Sequence, residues 1–93
     1  MVKFVYMPLY EYFGDTCPHC ISMKPMVEEV EKELGVTVEK LEVWNNEDNL
    51  KKMEEVDKGR CGGVPFFYNS DTDAFICGST SKAKFVAWAK GKK

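Results

Sequence analysis

Apolar positions along this chain alternate between strand-like runs and helical spacing. Leu9-Tyr10-Glu11-Tyr12-Phe13 is an aromatic, strand-like stretch. The first strand is expected within residues 2–13, with Pro8 making its early part irregular or an edge. Gly14 and Asp15 end it, and Asp15 or Thr16 is placed to cap a helix that follows. In that helix Cys20, Met23, Val27, Val30 and Leu34 share one face, and Gly35 stands in the usual C-terminal stop position. Val36 to Trp44 reads as a second strand, with Asn45-Asn46 as its exit turn. A short helix around Leu50, Met53 and Val56 then ends at Gly59. Phe66-Phe67-Tyr68 and Ala74-Phe75-Ile76 read as a hairpin around the polar turn Asn69 to Asp73. Ser79, Thr80 or Ser81 caps a last helix through Phe85, Val86 and Ala89, with Gly91 at its end. The predicted order is βαβαββα, without repeats or a low-complexity linker.

Composition narrows the class. With 93 residues, 44% hydrophobic and 13% aromatic, the chain can build one core and has no room for a second, so residues 1–93 are expected to form a single α/β domain. A net charge of −2 provides neither a basic patch for nucleic acid nor an acidic tail. Met1-Val2-Lys3-Phe4 lacks the long apolar run and small-residue cleavage site of a secretory signal, and nothing approaches the length of a membrane span. A cytoplasmic monomer with no nucleic-acid or membrane partner is the expectation. Met23, Met26 and Met53 read as core filler, Trp44 and Trp88 as packing residues, and Lys90-Gly91-Lys92-Lys93 as a solvated end.

The chemistry lies in the four cysteines. Disulfide-rich secreted scaffolds usually space their cysteines more evenly, whereas Cys17-Pro18-His19-Cys20 pairs two thiols at a strand-to-helix junction. Such a pair closes into a disulfide and reopens, or holds a metal ion. Cys17 at the helix N-terminus meets unpaired N–H groups and the positive end of the helix dipole, which favour a thiolate. Cys20 heads the apolar stripe and is expected to be the less accessible thiol. That asymmetry assigns Cys17 the attack on a target disulfide and Cys20 the resolution of the mixed disulfide. His19 can add positive charge beside Cys17.

Strand, C-P-H-C, helix, strand, helix, Val64-Pro65, hairpin and terminal helix together resemble the thioredoxin and glutaredoxin-like superfamily over nearly the whole chain. In size and motif the chain is most similar to small archaeal glutaredoxin-like thioredoxins. Pro25 lies eight residues after Cys17, where thioredoxins carry a helix-kinking proline, and Gly78 sits where a glycine follows their last strand. Thr16 departs from the tryptophan usual before the first cysteine. The resemblance implies a four-stranded mixed sheet flanked by three helices. It also implies a cis Val64–Pro65 bond packed against Cys17 and Cys20, leaving the Val64 backbone to pair with an incoming peptide. Glu11, six residues before Cys17, stands where the family carries a buried acid, and Lys40 where it carries the acid's partner. A buried carboxylate has a raised pKa and could relay the proton that Cys20 must lose. The other reading of the two residues is a solvent-facing Glu–Lys pair across strands.

Cys61 and Cys77 flank the same surface in such a fold. Free thiols are the expectation, with a second disulfide or a four-thiolate metal site shared with Cys17 and Cys20 as alternatives. Only one C-x-x-C is present, so no zinc-ribbon spacing arises. The expected activity is thiol–disulfide exchange on protein or glutathione disulfides, as a reductase fed by a thioredoxin-reductase-like enzyme or glutathione, without a cofactor. Alternatives are a DsbA-like oxidase of the same fold and a metal or iron–sulfur module using Cys17.

Overall fold

The structure, a computed structural model, describes residues 8–91. The part of the predicted first strand before Pro8 and the tail residues Lys92 and Lys93 lie outside the described residues. The elements follow the predicted order: β1 (Leu9–Phe13), α1 (Pro18–Leu34), β2 (Val38–Glu42), α2 (Glu47–Asp57), β3 (Phe66–Asn69), β4 (Phe75–Cys77) and α3 (Lys82–Ala89). They build a thioredoxin-like fold with one mixed sheet of strand order β2-β1-β3-β4. β1 runs parallel to β2 with Glu11 opposite Lys40, and antiparallel to β3 with Glu11 opposite Phe67.

Side chains on a strand alternate between the two sheet faces, which explains why the aromatic runs are so dense. Leu9 of β1 and Phe67 of β3 join Met23, Val27 and Val30 of α1 and Phe85 and Trp88 of α3 in one core cluster. Tyr12 and Phe66 join Val43 and Met53 in a second cluster, with Leu50 and Val56 of α2 packed against it. Each face of the sheet therefore carries its own core. On the first face Phe67, Phe85 and Trp88 meet with ring centroids 5.0–5.7 Å apart. Trp88 is the predicted packing residue, 2% exposed, with its indole N–H donating to Ala74 O at 3.1 Å.

Several local expectations shift. Cys17 caps α1, in place of Asp15 or Thr16: its Sγ accepts the Cys20 N–H. Gly35 closes that helix in the left-handed region, at φ 66°, as its lack of a Cβ permits. Pro25 sits inside the helix, where it has no N–H to donate. β2 is shorter than Val36 to Trp44 at both ends, and β4 takes Cys77 but not Ala74, whose carbonyl instead accepts the Asn69 N–H in the hairpin. Trp44 is not a core packing residue. It is 54% exposed, because the strand ends at Glu42 and Val43 takes the inward position. Its indole lies over Gly14, where a Cβ would run into the ring.

Candidate redox site

The site is built where β1 hands the chain to α1. The Cys17 N–H donates to Gly14 O at 3.1 Å, turning the chain so that the Cys17 side chain points back over the helix start. There Cys17 Sγ accepts the Cys20 N–H at 3.2 Å and lies 3.9 Å from the carbonyl oxygen of Val64, to which its S–H donates. The expected difference in accessibility is absent: Cys17 is 3% exposed and Cys20 5%. The loop before β3 contributes to this, since it brings the Val64 carbonyl to 3.9 Å from Cys17 Sγ. Cys17 and Cys20 are both free thiols. Burial, followed by the hydrogen bond with Cys17, pushes the Cys20 thiol up to about 12, so it is held protonated at neutral pH.

Val64–Pro65 is a cis peptide bond, and Pro65 is fully buried. Gly78 N–H donates to Pro65 O at 2.8 Å, tying the loop to the residue after β4. His19 is exposed, and its Nδ1 lies 3.4 Å from the Ser79 hydroxyl in the same post-β4 segment. The ring thus spans from the C-P-H-C turn to the strand end across the site.

Glu11 is buried, 5% exposed, which removes the solvent-facing reading. It shares the α1 face of β1 with Leu9, and α1 covers it. Burial pushes its carboxyl up from 4.5 to about 7, opposed by Lys40, reinforced by Glu31 and opposed again by Lys24. Lys40 sits opposite Glu11 in the strand register, but its ammonium donates to Glu31 Oε2 and to Val38 O, both at 3.0 Å. Glu11, Cys20, Lys24 and Lys40 line one cavity of about 230 Å³, together with Gly14 and Ile21. The candidate acid and the second thiol thus open on the same space.

Three acids that hold loops and turns of this fold escaped the sequence reading. Glu42 takes backbone N–H groups from Asn45, Asp15 and Trp44 at 2.8, 3.0 and 3.1 Å, so one carboxylate clamps the turn before Cys17 to the loop carrying Trp44. Asp57, 4% exposed, accepts the N–H groups of Cys61 and Gly62 at 2.6 and 2.8 Å and shapes the loop leading to Val64. Asp73 receives a two-pronged ion pair from Arg60. No local pattern marks these residues, since their partners are backbone groups or residues brought close only by the fold. Lys24 has a weak signal: it lies four residues after Cys20, one turn along the helix.

Cys61 and Cys77 are not free thiols. They form a disulfide, with Cα atoms 5.5 Å apart. The hairpin carries the end of β4 back beside the loop before Pro65, bringing residues sixteen apart in sequence within bonding reach. With those two sulfurs bonded to each other, the four-thiolate metal site is not assembled. Among the described residues no group of three or more His, Cys, Asp or Glu side chains is placed to hold a metal. No helix among them is long and apolar enough to cross a membrane. A larger cavity, about 510 Å³, lies between Arg60, Asp73, Phe75, Lys84 and Trp88, and neither Cys17 nor Cys20 lines it.

No protein-family model matches the sequence, and no curated protein is similar to it in sequence. Solved structures are similar in fold. The thioredoxin-like protein BC3987 superposes with a TM-score of 0.62 at 14% identity, over 95% of this chain and 100% of that one. Thioredoxin 1 from the thermophilic eubacterium Thermosipho africanus gives 0.62 at 15% identity, over 90% and 91%. Wheat glutaredoxin gives 0.55 at 18% identity, over 94% and 73%. At these identities the likeness is one of fold.

Proposed function

We propose that the protein is a thiol–disulfide oxidoreductase that exchanges a Cys17–Cys20 dithiol with disulfides of other proteins. The observation that carries this reading is the seat of Cys17 Sγ, which caps α1, accepts the Cys20 N–H and faces the Val64 carbonyl. The Cys20 N–H gives the Cys17 sulfur a backbone donor at the start of the helix, where the thiol meets an incoming disulfide.

The exchange proceeds in two steps. Cys17 thiolate attacks one sulfur of a target disulfide, the target's S–S bond breaks, and its other sulfur leaves as a thiolate. The target stays joined to Cys17 as a mixed disulfide. Cys20 then gives its proton to Glu11 across the shared cavity, attacks Cys17 Sγ, forms the Cys17–Cys20 disulfide and expels the second target thiolate. Burial makes this assistance necessary, because it holds Cys20 protonated at neutral pH. A carboxyl pushed to about 7 is matched to the task, being able both to accept and to release a proton near neutrality. Lys40 and Lys24 balance the Glu11 charge when it is ionised. Val64 and Pro65 form the substrate-binding edge, with the Val64 backbone available to an extended peptide.

The proposed activity includes net reductase duty in the cytoplasm, with glutathione or a thioredoxin-reductase-like enzyme restoring the dithiol and His19 tuning the couple. Substrate trapping tests this. Cys20→Ser accumulates mixed disulfides between Cys17 and an oxidised protein such as insulin, while Cys17→Ser neither reduces nor traps it. Full turnover by Cys20→Ser with nothing trapped would refute the two-cysteine mechanism.

A further inference from the structure

The exchange at Cys17 and Cys20 makes no use of the Cys61–Cys77 bond. Cys77, at the end of β4, is exposed and Cys61 is half-buried, so the bond lies at the surface of the fold and not in its core. The loop it staples has other anchors on either side. Asp57 holds the N–H groups of Cys61 and Gly62, Arg60 pairs with Asp73 at 2.9 and 3.2 Å, and Gly78 N–H holds Pro65 O. Between those anchors lie Gly63 and Val64. Gly62 occupies the left-handed region at φ 74°, and a Cβ at Gly62 or Gly63 would meet nothing within 4 Å. This short open segment carries the carbonyl that faces Cys17 Sγ at 3.9 Å. With the staple cut, those anchors remain on either side of Gly63 and Val64.

We propose that Cys61–Cys77 is a second redox site, a disulfide opened by small monothiols, whose state sets how firmly Val64 is held against Cys17. The coupling to Val64 rests on Cys17 and Cys20 being the reacting dithiol. The opening itself does not. A monothiol RS⁻ attacks Sγ of Cys77, the Sγ–Sγ bond breaks, and its electron pair leaves on Cys61 Sγ, which takes a proton from water. That thiol stays beside Gly63 O, 3.5 Å away, as a donor. A second RS⁻ attacks the thiol's sulfur in the mixed disulfide, releasing RSSR and the Cys77 thiolate, which is protonated in turn. Two monothiols are oxidised to one disulfide and one protein disulfide is reduced.

The test uses the full chain as Cys17→Ser/Cys20→Ser, in which Cys61 and Cys77 are the only cysteines. It is equilibrated in glutathione buffers from fully oxidised to fully reduced, blocked with an alkylating reagent and weighed. The expected result is a passage from zero to two alkylated thiols in the folded protein, through a species carrying one glutathione on Cys77. Amide exchange at Gly63 and Val64 is expected to speed up at least tenfold on opening, with β1 and α1 unchanged. In chains with Cys17 and Cys20 intact, Cys61→Ser/Cys77→Ser should raise KM for a protein disulfide at least threefold with kcat nearly constant. A bond that yields only after denaturation would overturn the second redox site. A bond that opens with neither amide exchange nor KM altered would overturn the coupling. A wild-type protein inactive on every disulfide would refute the reading of Cys17 and Cys20, while thiol count and amide exchange would still decide this one.

Discussion

Glu11→Gln isolates the energetic signature of the buried acid. In the folded protein burial moves the Glu11 carboxyl from 4.5 to about 7. That difference of about 2.5 converts, at about 1.4 kcal/mol per pKa unit, to about 3 kcal/mol. The sign follows from which state holds the proton. Below pH 4.5 both folded and unfolded chains keep Glu11 protonated and it contributes nothing. As pH rises from 4.5 to about 7 the unfolded chain releases the proton and the folded one retains it, so stability falls. Above 7 the folded protein carries the whole cost of a buried charge. Glutamine has the same shape and no charge, so the variant should gain on wild type by about 3 kcal/mol between pH 4 and pH 8. Urea unfolding of both proteins at half-unit pH steps reads this directly, because all other titrations cancel in the difference. A stability difference that stays flat across that range would refute the burial of the charge and with it the basis of the relay. The same variant, in single-turnover experiments on a preformed mixed disulfide, should slow resolution by about a hundredfold while leaving the first attack by Cys17 nearly unchanged.

Replacing His19 with Leu removes the imidazole from the start of α1 and should lower the reduction potential of the Cys17–Cys20 couple by about 10–20 mV, the equivalent of roughly 0.5–1 kcal/mol; an unchanged potential would leave the tuning to the helix terminus alone. Asp57→Ala strips the acceptor from two partly buried N–H groups and should cost about 2 kcal/mol in urea unfolding, with Asp57→Asn, which keeps one acceptor, costing about half. Equal stability of wild type and Asp57→Ala would show that the loop before Pro65 is not held by that carboxylate.

The order of elements was legible because its signals are local. The stripe Cys20, Met23, Val27 and Val30, the stop at Gly35 and the polar turn within Phe66 to Ile76 each depend on residues near in sequence. Boundaries moved where tertiary pairing decides them: β2 lasts only as long as β1 is there to pair with it, from Val38 to Glu42. The cap on α1 was misassigned because Asp15 and Thr16 have better capping side chains than a thiol, yet the turn closed by Gly14 O brings Cys17 to the helix start. Glu11 was ambiguous in sequence, since a carboxylate flanked by Tyr10 and Tyr12 faces solvent or core according to which helix covers its side of the strand. The Cys61–Cys77 bond stood in the sequence only as an alternative to free thiols, for the same kind of reason. Its two sulfurs meet only after β3 and β4 have paired with Phe66 opposite Cys77. Trp44 looked like core by its size alone, and Val43 took the inward place.

If Cys17 and Cys20 form a reversible redox couple, they have a measurable reduction potential. The protein is equilibrated in glutathione buffers of known ratio, quenched and alkylated, and the fraction of Cys17–Cys20 disulfide is read by peptide mapping, which separates it from Cys61–Cys77. A single two-electron transition is expected between about −270 mV and about −120 mV, the span from thioredoxin to DsbA. A couple that stays oxidised to below about −300 mV would behave as a structural disulfide, and one that never forms a Cys17–Cys20 bond would be no couple at all. Either result would rule out exchange through Cys17 and Cys20.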